Sequence, residues 1–178
     1  MRLLRTIRLD PSDTFVFERA ADPGEWAVSG AFMFADADPD ALVGKSRAAF
    51  RAGFLGVASL GWSTLVQIVE ATQEDRDRLV DALGRQLHER LGAPDLAAAR
   101  AAAEEEVAFA ASLTDHPPDT LIAVHRTRED GAIRETFRTL RPRQGEKPLR
   151  AFAFMEVDGE EEPGETVDLV GLAHGARK

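Results

Sequence analysis

Asp130-Gly131 stands between two runs of alternating apolar and polar residues, TLIAVHRT (120–127) and AIRETFRTLRP (132–142), and this pattern constrains the chain most. An Asp-Gly pair supplies the two positive-φ residues of a type I′ turn, whose twist matches that of paired strands. A two-residue turn also sets register, placing Val124 opposite Phe137 and Arg126 opposite Glu135. One face of the hairpin then carries Ile122, Val124, Ile133 and Phe137 and is assigned to the core. The opposite face carries His125, Thr127, Arg134, Thr136 and Arg138, a concentration of hydrogen-bond donors in an otherwise acidic chain.

Other segments join this hairpin in an α+β reading. RLLRTIRL (2–9), TFVFERA (14–20) and WAVSGAFMF (26–34) are expected strands of an N-terminal meander, with Asp22-Pro23-Gly24 as turn chemistry. A helix is expected over 40–53, capped by Asp38 and opened by Pro39, and STLVQIVEA (63–71) is expected as a strand. Thr72 and Asp75 resemble a capping box for a helix running to Gly92, with Leu79, Val80, Leu83, Leu87 and Leu91 as its apolar stripe. A second helix starts on Pro94 and turns Leu96, Val107, Ala110 and Leu113 inward, so the two form an αα-hairpin. LRAFAFMEV and VDLVGLA make a last hairpin around the acidic DGEEEPGE. The expected architecture is a mainly antiparallel sheet of about eight strands with three helices grouped mid-chain. Residues 1–142 form the main domain, and 143–178 an extension packed on it or used in oligomerisation.

A formal charge of −9 argues against a nucleic-acid binder working through a basic surface. With no cysteine, disulfides, thiolate metal sites and cysteine nucleophiles are excluded, and a reducing, cytoplasmic setting is expected. No run approaches the ~18 apolar residues of a membrane span, and the N-terminus lacks the apolar core of a signal peptide, so no membrane partner is expected.

GVASLGWST (56–64) comes nearest to a catalytic signature, since Gly56, Gly61 and Ser63 fit the frame G-x-x-x-x-G-K-S/T. Trp62 stands in place of the lysine, and the expected order is helix then strand. A phosphate loop needs a strand before it and a helix after. The segment is therefore read as a flexible connection whose indole needs a packing partner. Asp36, Asp38 and Asp40 fall at calcium-loop positions, but Ala41 and Arg47 occupy the places of the required glycine and glutamate. None of His88, His116, His125 and His174 has metal-ligand spacing, and no metal or other cofactor is expected. His116 is read as closing the preceding helix.

RTIRLDPSDTFVFERAADPGEWAVSGAF, GFLGVASLGWSTLV and FAASLTDHPPDTLIAVHRT resemble a small family of uncharacterised bacterial proteins, with similarity reaching about residue 142. The resemblance implies genes near those for molybdoenzyme maturation and biotin/lipoate-ligase-like proteins. It implies no activity, fold or catalytic residue.

The expected function is a non-catalytic accessory protein binding a protein partner or small anionic ligand. Its surface would be the face bearing His125, Arg134 and Arg138, with Trp62 as a nearby anchor. A small enzyme with a site around His116 and Asp115, drawing on Glu104–Glu106, or around His125, is the alternative. A homodimer through the C-terminal hairpin is a third reading.

Overall fold

The computed structural model describes residues 1–38, 40–142 and 155–158. β1 (Arg2–Ile7) is followed by a short helix, α1 (Ser12–Val16). β2 (Trp26–Val28) leads into a 3₁₀ turn (Ala31–Phe34), and α2 (Gly44–Ala52) runs almost directly into β3 (Phe54–Gly56). β4 (Trp62–Ser63) and β5 (Leu65–Glu70) precede the long helices α3 (Gln73–Arg90) and α4 (Leu96–Ser112). The remaining strands are β6 (Leu121–Glu129), β7 (Ala132–Pro142) and β8 (Met155–Asp158). Among the described residues the strands form one sheet in the order β4-β3-β2-β1-β5-β6-β7-β8, each pair of neighbours antiparallel. The chain is thus an α+β protein built on an antiparallel sheet.

The local signals that predicted the centre of the fold have the anticipated geometry. Asp130 and Gly131 adopt φ of 51° and 80°, and Val124 pairs with Phe137 and Arg126 with Glu135. Thr72 and Asp75 form a reciprocal capping box at the start of α3. α3 and α4 pack as an αα-hairpin, and α4 lies on β1 and β2. Leu79, Val80, Leu83 and Leu87 of α3 meet Ala99, Ala103, Val107 and Ala110 of α4 in the main core. At about 25 cal/mol per Å², burial of such side chains supplies most of the drive to fold.

Four expectations are corrected. Residues 14–20 are not a strand: α1 covers their start, and Asp13 anchors it by accepting a hydrogen bond from Thr64 Oγ1 at 2.5 Å. WAVSGAFMF is a strand only to Val28, because Gly30 takes φ 80° and begins the 3₁₀ turn. Asp38 does not cap the following helix but accepts from the Asp40 amide at 3.1 Å, and α2 starts at Gly44 after Val43. Leu96 lies on the surface, while Ala99 and Ala103 take the core positions of that helix. The C-terminal hairpin expectation falls largely outside the described residues. Within them, β8 pairs with β7 from Thr139–Asp158 to Pro142–Met155.

Candidate functional site

Arg126 organises the region around α2. Register places it on the core face of the hairpin beside Val124, and its side chain is 0% exposed. Transferring a guanidinium out of water is tolerated only when its donors are filled. Here Nε donates to Glu135 at 2.7 Å, and Nη1 donates to the carbonyls of Gly53 at 2.7 Å and Phe50 at 3.1 Å. Nη2 reaches the Ser29 carbonyl and, at 3.1 Å, its hydroxyl, and Ser29 Oγ in turn donates to Glu135. The carbonyls of Phe50 and Gly53 belong to the C-terminal end of α2, where acceptors otherwise lack partners. Arg126 therefore pins α2 to β6.

Glu106 of α4 faces this cluster. Burial pushes its carboxyl up to about 7, the Glu135 charge adds to the rise, and Arg126 opposes it. Its Oε2 is buried without a hydrogen-bond partner among the described residues. For Arg126, burial pulls the pKa down, while Glu135 and Glu106 favour the charged form.

The pinned α2 has a cleft along each of two sides. On one, Arg47, Arg51, Thr127 and Arg128 line a cavity of about 320 Å³ together with Asp40, over Phe50 and Arg126. Arg47 Nε donates to the Leu42 carbonyl at 2.8 Å, and Arg128 Nη1 to the Ala37 carbonyl at 2.6 Å, so both side chains are oriented by backbone. On the other side, Lys45, Ser46 and Ala49 line a larger cavity of about 510 Å³ with Glu18, Arg19 and the aromatic pair Trp62–Phe34.

Trp62 is the indole that required a home. Its ring stacks on Phe34 at 5.1 Å between centroids with planes 28° apart, and Phe34 meets Phe50 edge-on at 5.3 Å. Gly53 leaves the room: a Cβ there would sit 2.8 Å from the indole Cε3. The stretch before Trp62 connects two strands rather than a helix and a strand, because β3 and β4 pair across it. It is not a loose connection either. Ala58 and Ser59 amides donate to Glu25 Oε2 at 2.7 and 2.9 Å, and Ser59 Oγ donates to Oε1 at 2.5 Å. A loop spelled like an anion cradle thus holds a carboxylate of its own chain.

His125, Arg134 and Arg138 all lie exposed on the hairpin face opposite Arg126, at alternate register positions. Arg134 Nε pairs with Glu129 at 2.6 Å, with both side chains more than half exposed. Trp62 is not on that face, so the structure places the fourth residue of the predicted site beside α2 instead. His116 does not close α4: Thr114 Oγ1 does so, donating to Ala111 at 2.7 Å, while the His116 carbonyl accepts from Arg2. His116 and Asp115 are not joined to Glu104–Glu106, of which Glu106 faces Arg126 and Glu135. Among the described residues no three His, Asp or Glu side chains gather as a metal site would require, and no helix is long and apolar enough to cross a membrane. His174 lies outside the described residues.

The arginines lining the smaller cleft were not brought together by the sequence pattern because they come from segments about 80 residues apart along the chain, 40–51 and 126–128. One signal was available for Arg126. Its register position sets a charged pair, Arg126 and Glu135, on the face that also carries Val124 and Phe137.

The fold and site define an α+β sheet protein whose cationic side chains line two clefts around one short helix. The chain belongs to the family of unknown function DUF6505, which it matches over residues 1–158, beyond the 142 reached by the resemblance. No curated protein and no solved structure matches it.

Proposed function

We propose that the chain is a non-catalytic binding protein, an accessory factor whose partner presents an anionic group to the arginine cleft between α2 and β6. The observation that carries this reading is the gathering of Arg47, Arg51 and Arg128 around one cavity of about 320 Å³ in a chain of net charge −9. Arginine forks suit carboxylate and phosphate oxygens, and a concave site with local positive charge raises the local concentration of anions. Among the described residues Asp40 is the one acid lining that cavity. Arg126 beneath it is already filled by protein acceptors, so it holds the floor rather than the ligand.

The test is calorimetric titration with inorganic pyrophosphate and with a glutamate-rich peptide. The native chain is expected to bind at least one probe, and Arg47→Glu/Arg51→Glu to weaken that binding at least about tenfold with little change in melting temperature. Absence of binding to both probes by the native chain would refute the proposal. A second reading, an acidic protein docking on the sheet face, is favoured by the exposure of His125, Arg134 and Arg138 together. It predicts that Arg134→Ala/Arg138→Ala, rather than the α2 variant, removes binding of the acidic peptide.

A further inference from the structure

We propose that the cavity walled by Trp62, on the other side of α2, binds a small planar aromatic anion. At about 510 Å³ it has the size of a small-molecule site, and far exceeds the space that an inorganic anion fills. Its apolar wall is flat and rigid. Trp62 stacks on Phe34, its amide donates to the Arg19 carbonyl at 2.9 Å, and its carbonyl accepts from Ala21 at 2.8 Å. A wall held at ring and backbone offers the ring of a ligand a preformed apolar surface to pack against, with little ordering cost on binding.

The same cavity carries two cations. Arg19 Nη1 donates to the Ser59 carbonyl at 2.9 Å, so the guanidinium is tethered to the loop that Glu25 holds. Lys45 and Ala49 are four residues apart on α2 and face the cavity together, with the Ser46 hydroxyl beside them. Lysine, arginine and hydroxyl converging on one cavity match a carboxylate or phosphate group attached to the ring. Glu18 shares the rim and supplies an acceptor for an N–H or hydroxyl of the ligand, which disfavours a ligand with anionic charge all round. Arg47, Arg51 and Arg128 line the other cleft, so this site does not depend on the pyrophosphate or peptide reading.

The test compares whole probes with their halves by calorimetry: indole-3-acetate against indole and acetate, and adenosine monophosphate against adenosine and phosphate. At least one whole probe is expected to bind about tenfold or more tighter than its better half, and which one does so identifies the anion as carboxylate or phosphate. Lys45 is exposed, so Lys45→Glu should fold normally, cancel that gain and leave the affinity of the neutral ring unchanged. Trp62→Phe should weaken the ring half as well, and Arg47→Glu/Arg51→Glu should do nothing here. Whole probes no tighter than their halves, a gain that survives Lys45→Glu, or a loss with the α2 double variant would each overturn the proposal.

Discussion

Arg126 and Arg134 sit on the same hairpin and point to opposite faces, and they differ in almost everything that decides what an arginine contributes. Arg126 is 0% exposed and donates to a carboxylate, three carbonyls and a hydroxyl. Arg134 is 63% exposed and, among the described residues, has a single ion pair with Glu129. Charge and strand pair are the same for both. The contrast teaches that solvent access, not charge, separates a structural pin from a surface free to meet a partner.

The largest expected effect comes from removing the pin. Arg126→Ala leaves the largely buried Glu135 without its cation and the carbonyls of Phe50 and Gly53 without a donor, at a cost of about 3–5 kcal/mol. For a chain of this size each kcal/mol lowers the melting temperature by ~2–4 °C, so thermal denaturation reads the loss directly. Both clefts should suffer, because α2 lines each of them. An Arg126→Ala chain that melts within about a degree of the native one would break the comparison, since it would mean the buried donors are not needed.

What could be read from the sequence, and what could not, follows the range of the interactions. Asp130-Gly131 and the Thr72–Asp75 box act between residues a few positions apart, so their geometry was legible. β3 and β4 have three and two residues, too few to show alternation, and they owe their pairing to each other and to β2. The clefts on α2 were illegible for the same reason, since Lys45 and Trp62 come to line one cavity, and Arg51 and Arg128 the other, only through folding. TFVFERA misled because its apolar residues suggest a strand, whereas Phe17 is buried with Phe34 and Phe50 while Phe15 and Val16 face outward.

The next effect concerns the carboxylate held by the glycine-rich loop. Glu25→Ala deprives the Ala58 and Ser59 amides and the Ser59 hydroxyl of their acceptor. Hydrogen bonds to a charged acceptor contribute about 1.5–3 kcal/mol, and partial exposure of Glu25 puts the expected loss at about 2 kcal/mol. Glu25→Gln should recover part of it, because the amide oxygen still accepts. Urea denaturation of the three chains at one pH is the measurement, and equal midpoints would show the cradle to be incidental.

Glu106 brings pH into the same region with the opposite sign from an ordinary ion-paired carboxylate. Its carboxyl is raised from 4.5 to about 7, so in this window the folded chain holds a proton that the unfolded chain has released. Stability from this group therefore falls as pH rises through the window and is level above it. Glu106→Gln, neutral at every pH, should flatten that part of the profile. At about pH 8 it should stabilise the chain by about 1–2 kcal/mol, after allowance for the solvent that still reaches the side chain. A variant that is less stable than the native chain at that pH would show the Glu106 charge to be favourable beside Arg126.

The smallest effect belongs to the outer arginine and completes the contrast. An exposed ion pair contributes ~0.2–1 kcal/mol and is screened by salt, so Arg134→Ala should shift the urea midpoint barely at all, and less still in about 1 M salt. The Glu129→Ala change should be equally mild, and the two together should cost about as much as either alone if the 2.6 Å pair is their whole interaction. A cost from Arg134→Ala approaching that of Arg126→Ala would mean that the outer face is also structural. The proposed docking on the sheet face bearing His125, Arg134 and Arg138 would then fail, and the clefts on α2 would remain as the proposed sites for anions.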